Sequence, residues 1–379
     1  MTKWKLMATA TFGLESILGQ EIKDLGYKDV QVENGKVIFY GEAADVCRAN
    51  LWLRTADRVR LQVGEFKATT FEELFSQTRD LPWAEILPVD AEFPVDGKSV
   101  KSTLFSVSDC QAIVKKAIVE SMKKKHKQQW FPENGPLYRI EVALLKDTVT
   151  LTVDTSGAGL HKRGYREQTG SSPLRENLAA AMIRLARWDS HIPLMDPFCG
   201  SGTIPIEAAL MGCKIAPGLY RNFAAERWPQ IPPRMWEKSR EEAREVVDRE
   251  RPMYILATDI HGPSLKAARK NAAMAGVEEK IHFQKADIAD LSSRKKYGKV
   301  ICNPPSAERQ GQLPEVENLY RQLGRVLQKM DTWSYYILTS HTQFEGLFGS
   351  RASKKRKLYN GNILVHYYQY YGPSPPRGL

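Results

Sequence analysis

Asp196-Pro197-Phe198-Cys199-Gly200-Ser201-Gly202-Thr203 places an acid and two glycines between an apolar strand-like run, 194–196, and an apolar helical run, 204–211. Glycines at such a place let the chain turn sharply and bring its backbone close to a ligand, and a helix start offers free N–H groups. The run lacks the full G-x-G-x-x-G spacing, which argues against a nicotinamide or flavin dinucleotide. Polar residues then recur at strand ends. Asp259 lies 57 residues after Gly202 and closes the apolar run 254–259. An acid there suits two ribose hydroxyls, but a simple unit places it only about 20 residues on, so 213–251 reads as an insertion. Asp287, in Ala286-Asp287-Ile288, follows 28 residues later and suits an adenine amino group. Asn303-Pro304-Pro305 begins 16 residues after that. An amide oxygen and a proline-fixed carbonyl accept hydrogen bonds from an exocyclic amine and aim its lone pair at an electrophilic methyl group.

For these residues to meet, the chain from Ser172 onward must form a doubly wound α/β layer. Strands are predicted at 194–196, 254–259, 281–283, 300–302 and 335–338, alternating with helices at 174–188, 204–211, 264–275 and 316–330. Residues 358–371, broken at Asn360-Gly361, read as a closing antiparallel hairpin. Earlier in the chain, 1–66 follows the β-α-β-β-α-β order of a ferredoxin-like unit, with an Asn34-Gly35 turn between two of its strands. Residues 67–156 form a second α+β block. Its elements are a strand through Leu104-Phe105-Ser106-Val107, a helix from Asp109 to the run Lys123-Lys124-Lys125-His126-Lys127, and strands at 137–145 and 148–154. Gly157, Gly159 and Gly164 mark a linker over 157–171, leaving 172–379 as the last domain.

Composition narrows the classes. Hydrophobic residues make up 42% and charged residues 26% of the 379, which supplies cores and excludes a disordered or collagen-like chain. No apolar run reaches the roughly 18 residues of a membrane span, and the start Met1-Thr2-Lys3-Trp4-Lys5-Leu6 lacks the pattern of a signal peptide. Five cysteines without a C-x-x-C pair argue against a zinc knuckle or a disulfide framework. A reduced, cytoplasmic protein with no membrane partner is expected. Net charge is +11. Residues 1–170 are nearly balanced, 24 basic against 23 acidic, whereas 171–379 carry 31 against 21. Such an excess favours a polyanionic partner, because phosphate neutralisation dominates nucleic-acid affinity, although the same charge also serves solubility.

Taken with Leu160-His161-Lys162-Arg163-Gly164-Tyr165-Arg166 and Ser172-Pro173-Leu174-Arg175-Glu176-Asn177-Leu178-Ala179, these motifs resemble the THUMP-domain class I S-adenosylmethionine-dependent RNA methyltransferases. The bacterial enzymes that modify guanine N2 in large-subunit (23S) ribosomal RNA are the most similar. The resemblance covers essentially the whole chain. It implies an α/β fold: a Rossmann-like domain with a mixed, mostly parallel seven-stranded sheet, preceded by α+β ferredoxin-like and THUMP domains. It also implies S-adenosylmethionine as cofactor without a metal, and RNA, ribosomal in origin, as partner. Pro173, Arg175 and Asn177 would flank the cofactor, and Asp196, Phe198, Gly200, Gly202 and Thr203 would form its methionine-side loop. Asp259 with Ile260 would hold the ribose, and Asp287 with Ile288 the adenine. Asn303, Pro304 and Pro305 would present the target amine, with Asn303 also touching the cofactor. The family usually reads Asn-Pro-Pro-Tyr-Gly-Glu-Arg, whereas this chain has Asn303-Pro304-Pro305-Ser306-Ala307-Glu308-Arg309. The missing ring would stack on a flipped-out base, an interaction worth about 1–3 kcal/mol. Phe198, or Tyr220, Phe223, Trp228 or Trp236 of the insertion, is the available substitute.

Three readings stay open at this stage: an RNA guanine-N2 methyltransferase, an adenine-N6 DNA methyltransferase with similar loops, and a non-catalytic RNA-binding or ribosome-assembly protein that keeps the cofactor fold. The N-terminal α+β blocks favour RNA, which is recognised through shape and phosphates.

Overall fold

Gly35, at φ 75°, closes the Asn34-Gly35 turn that folds one short strand back on the next. In the computed structural model, which describes residues 3–166, 174–306 and 313–376, this hairpin belongs to the first of two compact units. The first unit comprises 3–10, 18–160 and 221–242. Its strands are β1 (Trp4–Thr9), β2 (Gln31–Glu33), β3 (Lys36–Gly41), β4 (Arg58–Lys67), β5 (Val95–Val100), β6 (Ile140–Leu145) and β7 (Thr148–Asp154). They form one sheet in the order β2-β3-β1-β4-β7-β6-β5, antiparallel except for β5 beside β6. The helices of this part are α1 (Glu15–Asp24), α2 (Ala43–Trp52), α3 (Phe71–Arg79), α4 (Trp83–Ile86) and α5 (Val107–His126).

The ferredoxin-like order is present, and its sheet does not stop where that order ends. At ten residues β4 is about twice the usual strand length. It pairs with β1 over Arg58–Leu61 and with β7 from Arg60 to Lys67, with a bulge between Gln62 and Gly64. Two apolar sets fill the interior: Leu6, Leu18, Ile22, Phe39 and Val59 on one side of this join, and Trp83, Val114, Ile118, Ile140 and Leu151 on the other.

The strand expected through Leu104 and Phe105 is absent. Phe105 is 82% exposed and the sheet edge is β5, Val-Asp-Gly-Lys-Ser-Val, paired in parallel with β6. Gly97 makes this possible, because a Cβ there would meet Val107 Cγ1 at 2.9 Å and Gln111 Cγ at 3.0 Å, so α5 lies directly on the strand.

Residues 221–242, expected within an insertion of the last domain, are built into the first unit. The Trp228 ring stacks on Tyr138 at 4.4 Å and 12°, and its Nε1–H donates to the Leu137 carbonyl at 3.0 Å. Tyr138 donates its hydroxyl to Gln230 Oε1, and Gln230 Nε2 donates to the Ile86 carbonyl. Arg221 donates to the carbonyls of Ala158 and Gly159.

The second unit contains the described residues of 11–17, 161–220 and 243–379. Its strands are β8 (Leu194–Asp196), β9 (Ile255–Asp259), β10 (His282–Lys285), β11 (Lys299–Cys302), β12 (Ser334–Thr339), β13 (Lys354–Asn360) and β14 (Ile363–Tyr370). The order is β10-β9-β8-β11-β12-β14-β13. The first five are parallel and the β13–β14 hairpin is antiparallel, the mixed seven-stranded sheet expected. Gly361 at φ 64° sits in its turn. The helices are α6 (Glu176–Leu185), α7 (Thr203–Gly212), α8 (Pro233–Glu245, which runs on from the first unit), α9 (Gly262–Met274), α10 (Leu313–Leu327) and α11 (Phe344–Phe348).

Two segments join this unit from outside the 172–379 span expected for it. Phe12 packs edge-on against Tyr359 at 6.1 Å, and a Cβ on Gly13 would meet the Lys357 carbonyl at 2.6 Å. Arg163 and Tyr165, read as linker, are buried and both reach Glu207 Oε1 on α7. Among the described residues no helix is long and apolar enough to cross a membrane.

Trp228→Ala deletes a fully packed indole and its hydrogen bond. It should destabilise the first unit by about 3–5 kcal/mol, as large-to-small core substitutions do. Urea unfolding followed by hydrogen exchange at the β6 and β7 amides checks this; protection equal to that of the wild type would show that 221–242 contributes nothing to the unit's stability.

Candidate functional site

Strand order reverses direction at β8, with β9 on one side and β11 on the other. In open α/β sheets the crevice at such a switch point, outside the carboxyl ends of the strands, is where ligands bind. A cleft of about 750 Å³ lies there, lined by the ends of β8, β9, β11 and β12 and by the β13–β14 turn.

The loop after β8 forms its floor. Asp196, the last residue of β8, is 1% exposed and its Oδ1 accepts from Phe198 N at 3.1 Å. Burial pushes its carboxyl well above the ordinary value of 3.8, and the neighbouring Asp259 charge adds to the effect. Burial likewise raises the thiols of Cys199 and Cys302. Gly200 has φ 52° and nothing within 4 Å of its missing Cβ, so the backbone is open to the cleft. Its N–H donates to Asp259 Oδ2 at 2.9 Å. Asp259 Oδ1 accepts from His261 N at 2.9 Å. One carboxylate therefore joins the loop after β8 to the start of α9.

Gly202 stands apart from the ligand role expected of it. It does not line the cleft; at φ 86° it caps α7, and a Cβ would lie 3.1 Å from Ala268 Cβ of α9. Thr203 lines the cleft and accepts a hydrogen bond from Arg166 Nη2 at 2.6 Å. Arg166 also lies 3.4 Å from Glu176, whose carboxyl is raised by burial and lowered in part by that cation.

On the next strand ends, Ile260, Asp287 and Ile288 line the cleft. Asp287 Oδ1 accepts from Ala289 N at 2.8 Å, which caps a short 3₁₀ turn. Asn303, Pro304, Pro305 and Ser306 line the cleft after β11. Among the described residues the Asn303 side chain makes no hydrogen bond.

The Asn-Pro-Pro segment is held by a residue that sequence reasoning missed. Tyr320 of α10, fully buried, donates its hydroxyl to the Pro305 carbonyl at 2.9 Å, and the same oxygen lies 2.9 Å from Thr339 Oγ1. Burial pushes its phenol up to about 12, so it stays a donor. A lone tyrosine in an amphipathic helix carries no signal of such a role.

Arg175 and Asn177 are not brought to the cleft. Arg175 N donates to Asn360 Oδ1 at 3.3 Å, and Asn360 is the residue that lines the cleft; Asn177 is 1% exposed at the start of α6. Pro173, Ala307, Glu308 and Arg309 lie outside the described residues. Of the candidate aromatics, Phe198 lines the cleft. Phe223 and Trp236 are stacked on each other and buried, and Trp228 is buried on Tyr138.

Comparison with known proteins agrees with this arrangement. Residues 163–369 match the family model described as "RMKL-like, methyltransferase domain". The chain belongs to the RMKL-like methyltransferase family. Residues 5–60 match the RlmL ferredoxin-like domain and 68–154 the THUMP domain. The chain is 48% identical over its whole length to "Putative RNA methyltransferase YpsC" of Bacillus subtilis (strain 168), covering 98% of that protein. A crystal structure of a "predicted N6-adenine-specific DNA methylase" from Listeria monocytogenes is 51% identical, with a TM-score of 0.94 over 98% of this chain and 97% of that one. SMU.472, "a putative methyltransferase complexed with SAH", is 43% identical with a TM-score of 0.94 over 99% and 100% of the two chains. This chain thus has the class I methyltransferase fold behind ferredoxin-like and THUMP domains.

The raised carboxyl of Asp196 has a consequence for stability. Between 3.8 and its higher folded value, the folded state holds a proton that the unfolded state has lost, so stability falls as pH rises through that window. Asp196→Asn should remove this part of the slope. Urea midpoints from about pH 5 to 8 would show a flatter profile in the variant; identical slopes would place the ionised form in the folded protein.

Proposed function

We propose that this protein transfers a methyl group from S-adenosylmethionine to the exocyclic amine (N2) of a guanine in RNA, with large-subunit ribosomal RNA as the substrate. The observation that carries the reading is the Asn303 amide, without a hydrogen bond among the described residues, beside Pro304 in the same cleft as Gly200, Asp259 and Asp287. The THUMP domain, the relative named as an RNA methyltransferase and the basic excess of 171–379 support RNA.

The residues present fit the cofactor. Gly200 leaves its backbone open on the methionine side, Asp259 carries a charged acceptor at the end of β9, and Asp287 keeps an oxygen free of hydrogen bonds among the described residues. SAH, the demethylated form of this cofactor, is bound in SMU.472. When bound, S-adenosylmethionine supplies a methyl group on an electrophilic sulfonium. The chain's own part is orientation. A guanine amine is a poor nucleophile because its lone pair is delocalised into the ring. The Asn303 Oδ1 and the Pro304 carbonyl accept its two N–H groups, turn the lone pair toward the methyl group and stabilise the positive charge that develops on nitrogen. Tyr320 keeps the segment in place through the Pro305 carbonyl.

The same acceptors would present an adenine amine, and the Listeria relative is named for adenine in DNA. Assaying guanine-bearing RNA against adenine-bearing DNA with labelled cofactor separates the two substrates. No transfer to either, with cofactor binding intact, would leave a binding protein.

Asn303→Ala should lower turnover on RNA at least about tenfold, one to two kcal/mol of transition-state stabilisation, with cofactor binding little changed. Transfer at the wild-type rate would remove Asn303 from the chemistry. Asp259→Ala should weaken S-adenosylmethionine binding by about tenfold or more, since one hydrogen bond to a charged group is worth about 1.5–3 kcal/mol. Calorimetry on the folded variant tests this, and unchanged affinity sinks the ribose assignment.

A further inference from the structure

A second cavity, of about 1,140 Å³, opens at the other end of the second unit's strands. Pro193 before β8, Lys299 at the start of β11 and Ser334 at the start of β12 line it, whereas the methyltransferase cleft lies past the carboxyl ends of the same strands. Six cations contribute to its wall: Arg184, Arg187, Lys296, Lys299, Lys354 and Arg356. No Asp or Glu does among the described residues. His191 also lines it but is held by Asp189 at 2.9 Å.

One of the six serves the fold. Lys299 Nζ donates to the carbonyls of Ala186 and Arg187 at 2.5 Å each, completing the end of α6, and burial together with the Arg187 charge lowers its ammonium to about 8. Arg187, Lys296 and Lys354 make no ion pair among the described residues, and Arg356 Nε is buried without a partner.

Strand register explains how these groups share a surface. Lys354, Gln369 and Tyr336 are direct neighbours across β13, β14 and β12, and Arg356 follows two residues along on the same face. The alternate residue Lys355 serves the opposite face, where it lies 3.8 Å from Glu345 and over the Tyr368 ring at 4.7 Å. Gln369 is 2% exposed, lines the cavity, and leaves its Nε2 without a partner while its Oε1 accepts from the Tyr371 hydroxyl at 2.8 Å. Tyr371 is 55% exposed, and its ring lies 6.4 Å from that of Tyr336.

Asp189 partly offsets the charge at Lys299, and cations crowded with so little counter-charge repel one another, an arrangement that an anion between them relieves. Guanidinium forks and an amide donor match phosphate oxygens, and an exposed tyrosine face accepts a stacked base. We propose that this cavity binds a single-stranded stretch of the RNA substrate, its phosphates on the Lys354–Arg356 face and a base on Tyr371. The proposal rests on the reading of RNA as substrate. β12 spans six residues, about 20 Å at 3.3 Å each, so the bound stretch flanks the target nucleotide rather than containing it.

The test uses the full chain and a fluorescein-labelled single-stranded oligoribonucleotide of about 12 nucleotides, within the usual site sizes. Lys296→Glu combined with Lys354→Glu, both at exposed positions, should weaken binding at least about tenfold by anisotropy. The slope of log K against log salt should shrink by about 1.4, two phosphate contacts at about 0.7 each. Tyr371→Ala should weaken binding about tenfold with the salt slope unchanged. Calorimetry with S-adenosylmethionine reports whether each variant is folded and loads cofactor. Wild-type affinity and slope in both variants would overturn the proposal. So would displacement of the probe by AMP at equal concentration, which would make the occupant a mononucleotide. If the variants lose RNA binding as expected while the wild type methylates no guanine, the cavity stands and the guanine reading fails. If the wild type methylates RNA and the variants bind it unchanged, the reverse holds.

Discussion

A single 2.9 Å hydrogen bond, from the Gly200 N–H to Asp259 Oδ2, joins two loops that are 59 residues apart in the chain. The cleft at the carboxyl ends of the strands is built around it. Gly200 meets the carboxylate from the left-handed region, at φ 52°, and the parallel register of β8 and β9, with Asp196 opposite Ala257, brings the two strand ends level. A second bond, Cys199 N to the Thr258 carbonyl at 3.0 Å, continues the ladder into the loop. With the other Asp259 oxygen on His261 N, this one side chain aligns the β8 loop, the β9 end and the first turn of α9. Asp196 lies beneath it, and the closeness of two carboxyls is part of why Asp196 is driven toward its neutral form. The site's floor is thus a solution to a charge problem as well as a shape.

Most of the cleft was legible in the sequence because its parts are local. A glycine turn after a short apolar run, an acid closing a strand, and Asn-Pro-Pro after another strand are each written within a few residues, and a parallel sheet brings such strand ends together whatever lies between them. The ferredoxin-like order and the Asn360-Gly361 turn were readable for the same reason. What escaped reading depends on partners far along the chain. Val-Asp-Gly-Lys-Ser-Val has no strand-like alternation of apolar residues, and β5 exists because β6 supplies its ladder. Gly202 reads like Gly200, yet the approach of Ala268 gives it a packing role instead. Tyr320 is one apolar position among several in α10 until the Pro305 carbonyl is seen beside it. Phe223, Trp228 and Trp236 could be weighed as base platforms only until their burial was known.

The second unit sorts its charge along the strands. Asp196, Asp259 and Asp287 stand at the carboxyl ends, and lysines and arginines gather at the amino ends. Strand alternation refines the sorting on β13, where Lys354 and Arg356 share one face and Lys355 is neutralised on the other. An edge strand so rich in cations also resists pairing with another chain, which limits aggregation. The basic excess seen in composition is therefore organised rather than diffuse, and it lies away from the acids that would hold a cofactor.

The placement of residues 221–242 in the first unit has a consequence for how the protein is made. Domains emerging from a ribosome generally fold as units, amino-terminal first, at about 5–20 residues per second of synthesis. Here the first unit cannot finish in that order. The surface formed by Leu137, Tyr138 and Ile86 waits for Trp228 and Gln230, which are translated only after β8 and α7 of the second unit. Until then an apolar ring and its neighbours stay uncovered, and the two units must mature together rather than one after the other. Nascent chains stalled before and after residue 242 would therefore differ in the protease resistance of a sheet whose strands all end by Asp154.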